Sequence, residues 1–261
     1  MNKVKYFFII GFFLFSYGCE KSTIVSIPVP YEEDVVVESQ LIAGQTFQGV
    51  RITRTVPVSE NFDINKAEVK DAVVYLKVND LQVIPLHFTS DGIYLPTVSM
   101  NIYWANKFEL FGEVDGKSFY SQTTVPQMPV EVSSDYNSTG NYMEATVQSK
   151  PGVVYGGIWS IDRLTETSAN DFYSIVSPKD NQTIISTRST ILPKEYQSSE
   201  YEGRRFIQVY AFDKQFEDFF NSKDNNQPVS NYFAQGGGSI AWNVYGDHII
   251  GLFIGIAKSR Y

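Results

Sequence analysis

His248-Ile249-Ile250-Gly251-Leu252-Phe253-Ile254-Gly255-Ile256-Ala257 is almost unbroken in apolar residues. A strand with one wet face alternates polar and apolar side chains, whereas one without alternation needs cover on both faces, so this stretch predicts a central strand. Upstream, the second half of the chain shows further short runs, MEATVQS, VVYGGIWSIDRL, DFYSIVS, RRFIQVYAF and SIAWNVYG, separated by long polar loops. One segment leaves the strand pattern. Phe212, Phe216, Phe219 and Phe220 recur at helical spacing, so FDKQFEDFFNSK reads as a short amphipathic helix packed on the sheet, with Asp213 near its positive end.

The first half, residues 35–124, is a series of β-branched and aromatic runs: VVVESQLI, TFQGVRITRT, DAVVYLKV, LQVIPLHF, WANKFELFGEV and KSFYSQTTV. Asn79-Asp80, Asp91-Gly92 and Asp115-Gly116 stand between them as residues that tolerate positive φ, the requirement of tight hairpin turns. Pro85 has no N–H for a ladder and therefore marks LQVIPLHF as an edge strand. The two prolines of VPQMPV, residues 125–130, mark the best candidate joint. The expectation is a mainly β protein with two β-sandwich-like units, residues 35–126 and 127–261, the second carrying one short helix.

The N-terminus has a different logic. MNKVKYFFIIGFFLFSYGC places Lys3 and Lys5 before an apolar run that is too short to span a bilayer, and ends at Cys19 behind the small Gly18. Residues 1–18 read as a bacterial lipoprotein signal. Cys19 is the lipid-attachment residue, because only a thiol carries the diacylglyceryl thioether. Residues 19–34, with Pro28 and Pro30 and no periodicity, read as an extended tether.

Composition narrows the function classes. The chain has 261 residues and a formal charge of −8, which argues against wrapping a polyphosphate, so nucleic acid is not expected as a partner. One cysteine allows no internal disulfide, and the two histidines, His87 and His248, lie too far apart in sequence for a compact zinc motif. No G-x-S-x-G pentad is present, and Asp247-His248 are strand neighbours that point to opposite faces. Asn61, Asp63 and Asn65 alternate like calcium ligands but lack the loop's glycine and terminal glutamate. Gly236-Gly237-Gly238 enters a strand, not a Gly-Lys-Ser helix start. Glu200 with Glu202, and Glu217 with Asp218, read as solvated acids. Neither a metal nor a cofactor is expected. The remaining clue is aromatic: Tyr136 and Tyr142 in SSDYNSTGNY, and Tyr196 and Tyr201 in PKEYQSSEYEG, are rings on polar loops, suited to stacking on a ligand or anchoring a partner.

Several fragments together resemble a Bacteroidota lipoprotein family known as domain of unknown function 4249: the signal ending at Cys19, VVVESQLIAGQTFQGVRITRTVPV, AEVKDAVVYLKVND with SDGIYLP, NKFELFGEVDGKSFYSQTTVP, and GGGSIAWNVYGDHIIGLFIGIA. Residues 69–96 are also similar to transthyretin-like modules of the carboxypeptidase-regulatory type, which implies an Ig-like or transthyretin-like first unit. The resemblance leaves residues 165–202 unplaced. It implies a two-part β lipoprotein of the bacterial outer membrane, often found beside TonB-dependent transporters. The expected function is thus a non-enzymatic accessory or ligand-capturing partner of such a transporter, with a small molecule, glycan or peptide as ligand. Its rivals are a carbohydrate-active enzyme and a cell-surface adhesion or structural module.

Overall fold

The structure is a computed structural model that describes residues 31–57, 59–164, 172–222 and 240–260. The chain divides into two compact units, Met1–Glu32 and Glu33–Tyr261, and the description below concerns the second. The signal segment, Cys19, most of the tether and Gly236 to Gly238 lie outside the described residues.

The protein is mainly β. The strands are β1 (Val35–Ile42), β2 (Val50–Arg54), β3 (Val73–Val78), β4 (Gln82–Phe88), β5 (Ile93–Pro96), β6 (Lys107–Val114) and β7 (Lys117–Thr124) in the first half. The second half contributes β8 (Glu131–Asn137), β9 (Tyr142–Gln148), β10 (Val153–Ile161), β11 (Ile184–Ile191), β12 (Arg205–Asp213), β13 (Tyr245–Gly246) and β14 (Ile249–Lys258). Among the described residues, two short helices, α1 (Ile64–Ala67) and α2 (Gln215–Ser222), and two single-turn 3-10 helices accompany the strands. One sheet runs β10-β12-β14-β1-β2-β5-β4-β3-β6-β7-β13, and a smaller one runs β11-β9-β8.

The predicted central strand is β14. It pairs in parallel with β1 from Val35↔Ile249 to Ile42↔Ile256 and antiparallel with β12 on its other side. Both of its faces are covered, and the alternation of side chains sends each face to a different core. Ile249 and Phe253 enter the core of the first half beside Val37, Leu41, Ile52, Leu76, Phe108 and Leu110. Ala257, on the same face, enters a second core with Trp159, Val209 and Val147 between the two sheets. Leu252, Ile254 and Ile256 point the opposite way, into a third core closed by Phe216 and Phe219 of α2.

This arrangement differs from two units separable at residues 125–130. The chain does pass there from the large sheet to the small one, but its last strand returns to pair with its first, so both halves share one sheet. The glycines of β14 explain how. A Cβ on Gly251 would lie 1.8 Å from the Val37 carbonyl oxygen, and one on Gly255 would lie 2.7 Å from that of Thr124. β14 is therefore approached closely by β1 at one glycine and by the end of β7 at the other, which curls the sheet around the first core.

The three expected turns form with positive φ at Asn79, Asp80, Asp91, Gly92, Asp115 and Gly116. Other expectations change. β4 lies between β3 and β5 and is not an edge strand, but within β4 only Leu86, His87 and Phe88 pair with β5, so Pro85 faces a locally open edge. Phe212 is the last residue but one of β12, where it continues the alternation from Tyr210, and the helix begins only at Gln215. DFYSIVS makes single bridges, Phe172↔Ser189 and Tyr155↔Val176, while Phe172 and Ile175 cover the third core. Of the described residues of SIAWNVYG, Ile240 to Gly246, Tyr245 and Gly246 alone are strand. SSDYNSTGNY, read as a loop, is the β8–β9 hairpin.

Candidate functional site

The β8–β9 hairpin turns through residues 138–141, and its own side chains hold the turn. Asn137 Oδ1 accepts from the backbone N–H of Thr139 and Gly140 at 3.1 and 2.9 Å, the Tyr136 hydroxyl donates to Asn141 Oδ1 at 2.8 Å, and Asn137 Nδ2 donates to the Tyr142 hydroxyl at 3.0 Å. Beside the hairpin, the segment after β11 runs through the 3-10 helices Lys194–Tyr196 and Ser199–Tyr201. Arg205, the first residue of β12, joins the two. Its guanidinium lies 4.0 Å from the centre of the Tyr136 ring, its Nε donates to the Tyr196 carbonyl at 2.7 Å, and its Nη2 donates to the Ser198 carbonyl. A planar guanidinium suits both tasks at once, because it stacks by its face and donates from its edge.

Between hairpin and 3-10 segment opens a cleft of about 690 Å³. Tyr136, Met143 and Phe206 give it apolar surface, Arg205 a cation, and Asp135 and Glu202 two exposed carboxylates. Nη1 of Arg205 has no hydrogen-bond partner among the described residues.

The four tyrosines singled out from sequence have different places. Tyr136 lines the cleft. Tyr196 and Tyr201 stand behind it: their rings meet edge to face at 5.2 Å, and Tyr196 packs at 5.7 Å on Trp159 of the second core. They brace the 3-10 segment. Tyr142 does not line the cleft. Its ring lies under Arg188, which also stacks 3.7 Å over Tyr173. Next to the brace, Arg204 sits 5.0 Å over Tyr201 and clamps Asp162 with two hydrogen bonds of 2.9 and 2.6 Å. These bonds hold the Asp162 carboxyl below its ordinary range and raise the guanidinium.

The histidines and the other acids stand elsewhere. His248 occupies the turn before β14 with φ of 56°, and its Nδ1 is 3.2 Å from Asp34, not paired with its sequence neighbour Asp247. His87 is exposed on β4. Asp63 caps α1 by accepting from the Asn65 N–H at 3.1 Å, which explains the alternating oxygens of that segment. Glu217 Oε2 accepts from Ser177 Oγ at 2.5 Å on the flank of α2. Among the described residues no cluster of His, Cys, Asp and Glu is arranged to hold a metal ion.

Arg205, Asp135 and Phe206 were not singled out by sequence reading. RRFIQVYAF announces a strand, and nothing local says that its second arginine reaches a ring 69 positions earlier. No protein-family model, curated protein or solved structure matches the chain.

Proposed function

We propose that the protein is a lipid-anchored lipoprotein of a bacterial outer membrane, attached through Cys19, which captures a small polar ligand for a TonB-dependent transporter. The observation that carries the capture role is Arg205 stacked on Tyr136 in the lining of the cleft. Ring, guanidinium and carboxylates there converge in a volume typical of small-ligand sites. Such a surface offers a stacking plane, a donor fork and acceptors, the set that a glycan or a polar peptide fragment uses. The anchor and the transporter rest on the signal-like N-terminus and on the resemblance of the quoted fragments to transporter-associated lipoproteins.

The test is affinity purification of the full chain from native membranes. Wild type is expected to bring an outer-membrane transporter with it. Arg205→Gln and Tyr136→Ala are expected to lower recovery of transporter or ligand several-fold, with thermal melts confirming the fold, while His87→Ala leaves recovery unchanged. Cys19→Ala is expected to lose incorporation of a fatty-acid analogue. Label retained on that variant refutes the anchor, and transporter recovery equal in all variants refutes the cleft's role.

A carbohydrate-active enzyme is the second reading, favoured by one observation: Asp135 and Glu202 line the same cleft. Glycoside hydrolysis needs two carboxyl groups across the bond, one of them kept protonated by an apolar environment. Both acids here are exposed, which favours capture over cleavage. Release of nitrophenol from nitrophenyl glycosides, lost in Asp135→Asn and Glu202→Gln, decides for the enzyme.

A further inference from the structure

A separate cavity of about 660 Å³ opens over β1 and β2. Glu38 stands in the middle of β1, between Leu252 of β14 and Arg51 of β2, and its neighbours Val37 and Ser39 face the opposite way and are buried. Its carboxylate is half-buried, and among the described residues it has no hydrogen bond or ion pair. Arg51 likewise has none. Arg51 is its cross-strand partner on β2, and the other arginine of that strand, Arg54, is engaged with Glu33 and Asp115.

An unpaired carboxylate in mid-sheet is costly. Glutamate is a poor strand former, and burial strips hydration that no protein donor replaces here. Burial accordingly raises the Glu38 carboxyl above its ordinary range, with Arg51 pulling it partly back. Apart from that pull from Arg51, nothing among the described residues engages this charge, and a half-buried charged group in a cavity is a mark of a binding function.

The cavity's chemistry names its ligand class. Residues directly opposite on antiparallel strands have Cβ atoms only about 4.5–5.5 Å apart, so Glu38 and Arg51 rise from adjacent positions on one face of the sheet. They are nevertheless not closed on each other as an ion pair. Both line the cavity together with the amides of Gln40 and Gln48, the exposed ring of Phe62 and Ile93. One negative and one positive group side by side, next to an apolar wall, complement a molecule whose own ammonium and carboxylate sit on a single carbon that also bears an apolar group.

We propose that this cavity binds a free α-amino acid with an apolar side chain, its ammonium on Glu38, its carboxylate on Arg51 and its side chain against Phe62 and Ile93. The site is independent of the Arg205 cleft.

Titration calorimetry of the purified full chain tests this with three probes: L-leucine, 3-methylbutylamine, which lacks the carboxylate, and 4-methylpentanoate, which lacks the ammonium. L-Leucine is expected to bind saturably and each single-charge probe at least tenfold more weakly. Glu38→Gln, Arg51→Gln and Phe62→Ala are each expected to weaken L-leucine at least tenfold, and Arg205→Gln to leave it unchanged. Absence of saturable heat with L-leucine overturns the proposal, as does equal binding of either single-charge probe. The probe comparison is made on wild type, so it decides the matter even for a variant that fails to fold.

Discussion

The side chain of Asn243 completes the hydrogen bonding of Phe253 in both directions: its Nδ2 donates to the Phe253 carbonyl at 2.7 Å, and its Oδ1 accepts from the Phe253 N–H at 2.8 Å. A side-chain amide thus stands in for a neighbouring strand beside β14, in a buried position. Asn243 also lends its own carbonyl to the buried hydroxyl of Ser121 at 2.6 Å, tying β7 to the same point. Asn243→Ala leaves two backbone groups of a central strand unsatisfied. Each such group costs about 1–3 kcal/mol, so a loss of about 2–6 kcal/mol is expected. Asn243→Asp keeps the acceptor but buries a carboxylate against the Phe253 carbonyl, and at neutral pH it should be no more stable than alanine. Thermal and urea melts check the order, and alanine as stable as wild type refutes it.

Gly251 is a second keystone of the same strand. A Cβ there would sit 1.8 Å from the Val37 carbonyl oxygen and 2.9 Å from the Val37 nitrogen, both backbone atoms of β1 in the paired register. Gly251→Ala therefore forces β1 and β14 apart, and soluble yield is expected to collapse. Gly116→Ala is the control. Its φ of 76° strains an added side chain, but nothing lies within 4 Å, so a loss of only about 1 kcal/mol is expected. Comparable yields of the two variants would show that the β1–β14 pairing does not hold the halves together.

Thr187 of β11 buries a hydroxyl oxygen that has no hydrogen-bond partner among the described residues. Its side chain faces the second core, so Thr187→Val replaces an unsatisfied polar atom by a methyl of nearly the same size. A gain of about 1 kcal/mol is expected, read as a raised denaturation midpoint at unchanged slope. A lower midpoint would show that the hydroxyl is satisfied.

These residues show where sequence reading succeeds. β14 was legible because burial on both faces leaves no polar positions, and the hairpin turns were legible because Asn, Asp and Gly meet a local φ requirement. β8 and β11 were not. ISTRSTI points Ile185, Thr187 and Ser189 inward, and buried hydroxyls look the same in sequence as a polar loop. Phe212 was ambiguous, because its four-residue step to Phe216 fits a helix while its two-residue step from Tyr210 fits a strand; the stacked Phe212–Phe216 pair at 4.2 Å forms across the boundary. At the candidate site, Tyr136 was legible as a ring among turn residues. Arg205, Asp135 and Glu202 were not, because their meeting depends on the small sheet closing over β12, a long-range event with no local signal.

Glu38 and Asp80 are expected to respond to acid with opposite sign. The hydrogen bond from Lys77, with Lys107 also near, holds the Asp80 carboxyl at about 2, below its ordinary 3.8. A depressed carboxyl stabilises the fold above its unfolded value, and that contribution is lost as pH falls from 3.8 towards about 2. Asp80→Asn should therefore differ from wild type near neutral pH and converge with it in strong acid. Because Asp80 is exposed, the difference is small. Glu38 is raised above 4.5, chiefly by burial. Its folded form prefers the proton, so its favourable contribution is present below 4.5 and is lost as pH rises through the elevated value. Across β1, the facing positions are Arg51 on β2 and uncharged Leu252 on β14, so no second acid shares this titration. Glu38→Gln removes the charge that burial penalises, and it should melt higher than wild type near pH 7 and converge with it below about pH 4. Circular-dichroism melts of both variants from about pH 2 to pH 8 check the signs. A Glu38→Gln protein less stable than wild type at neutral pH would mean that the carboxylate has a partner holding it ionised, and that its cavity is a structural ion-pair site.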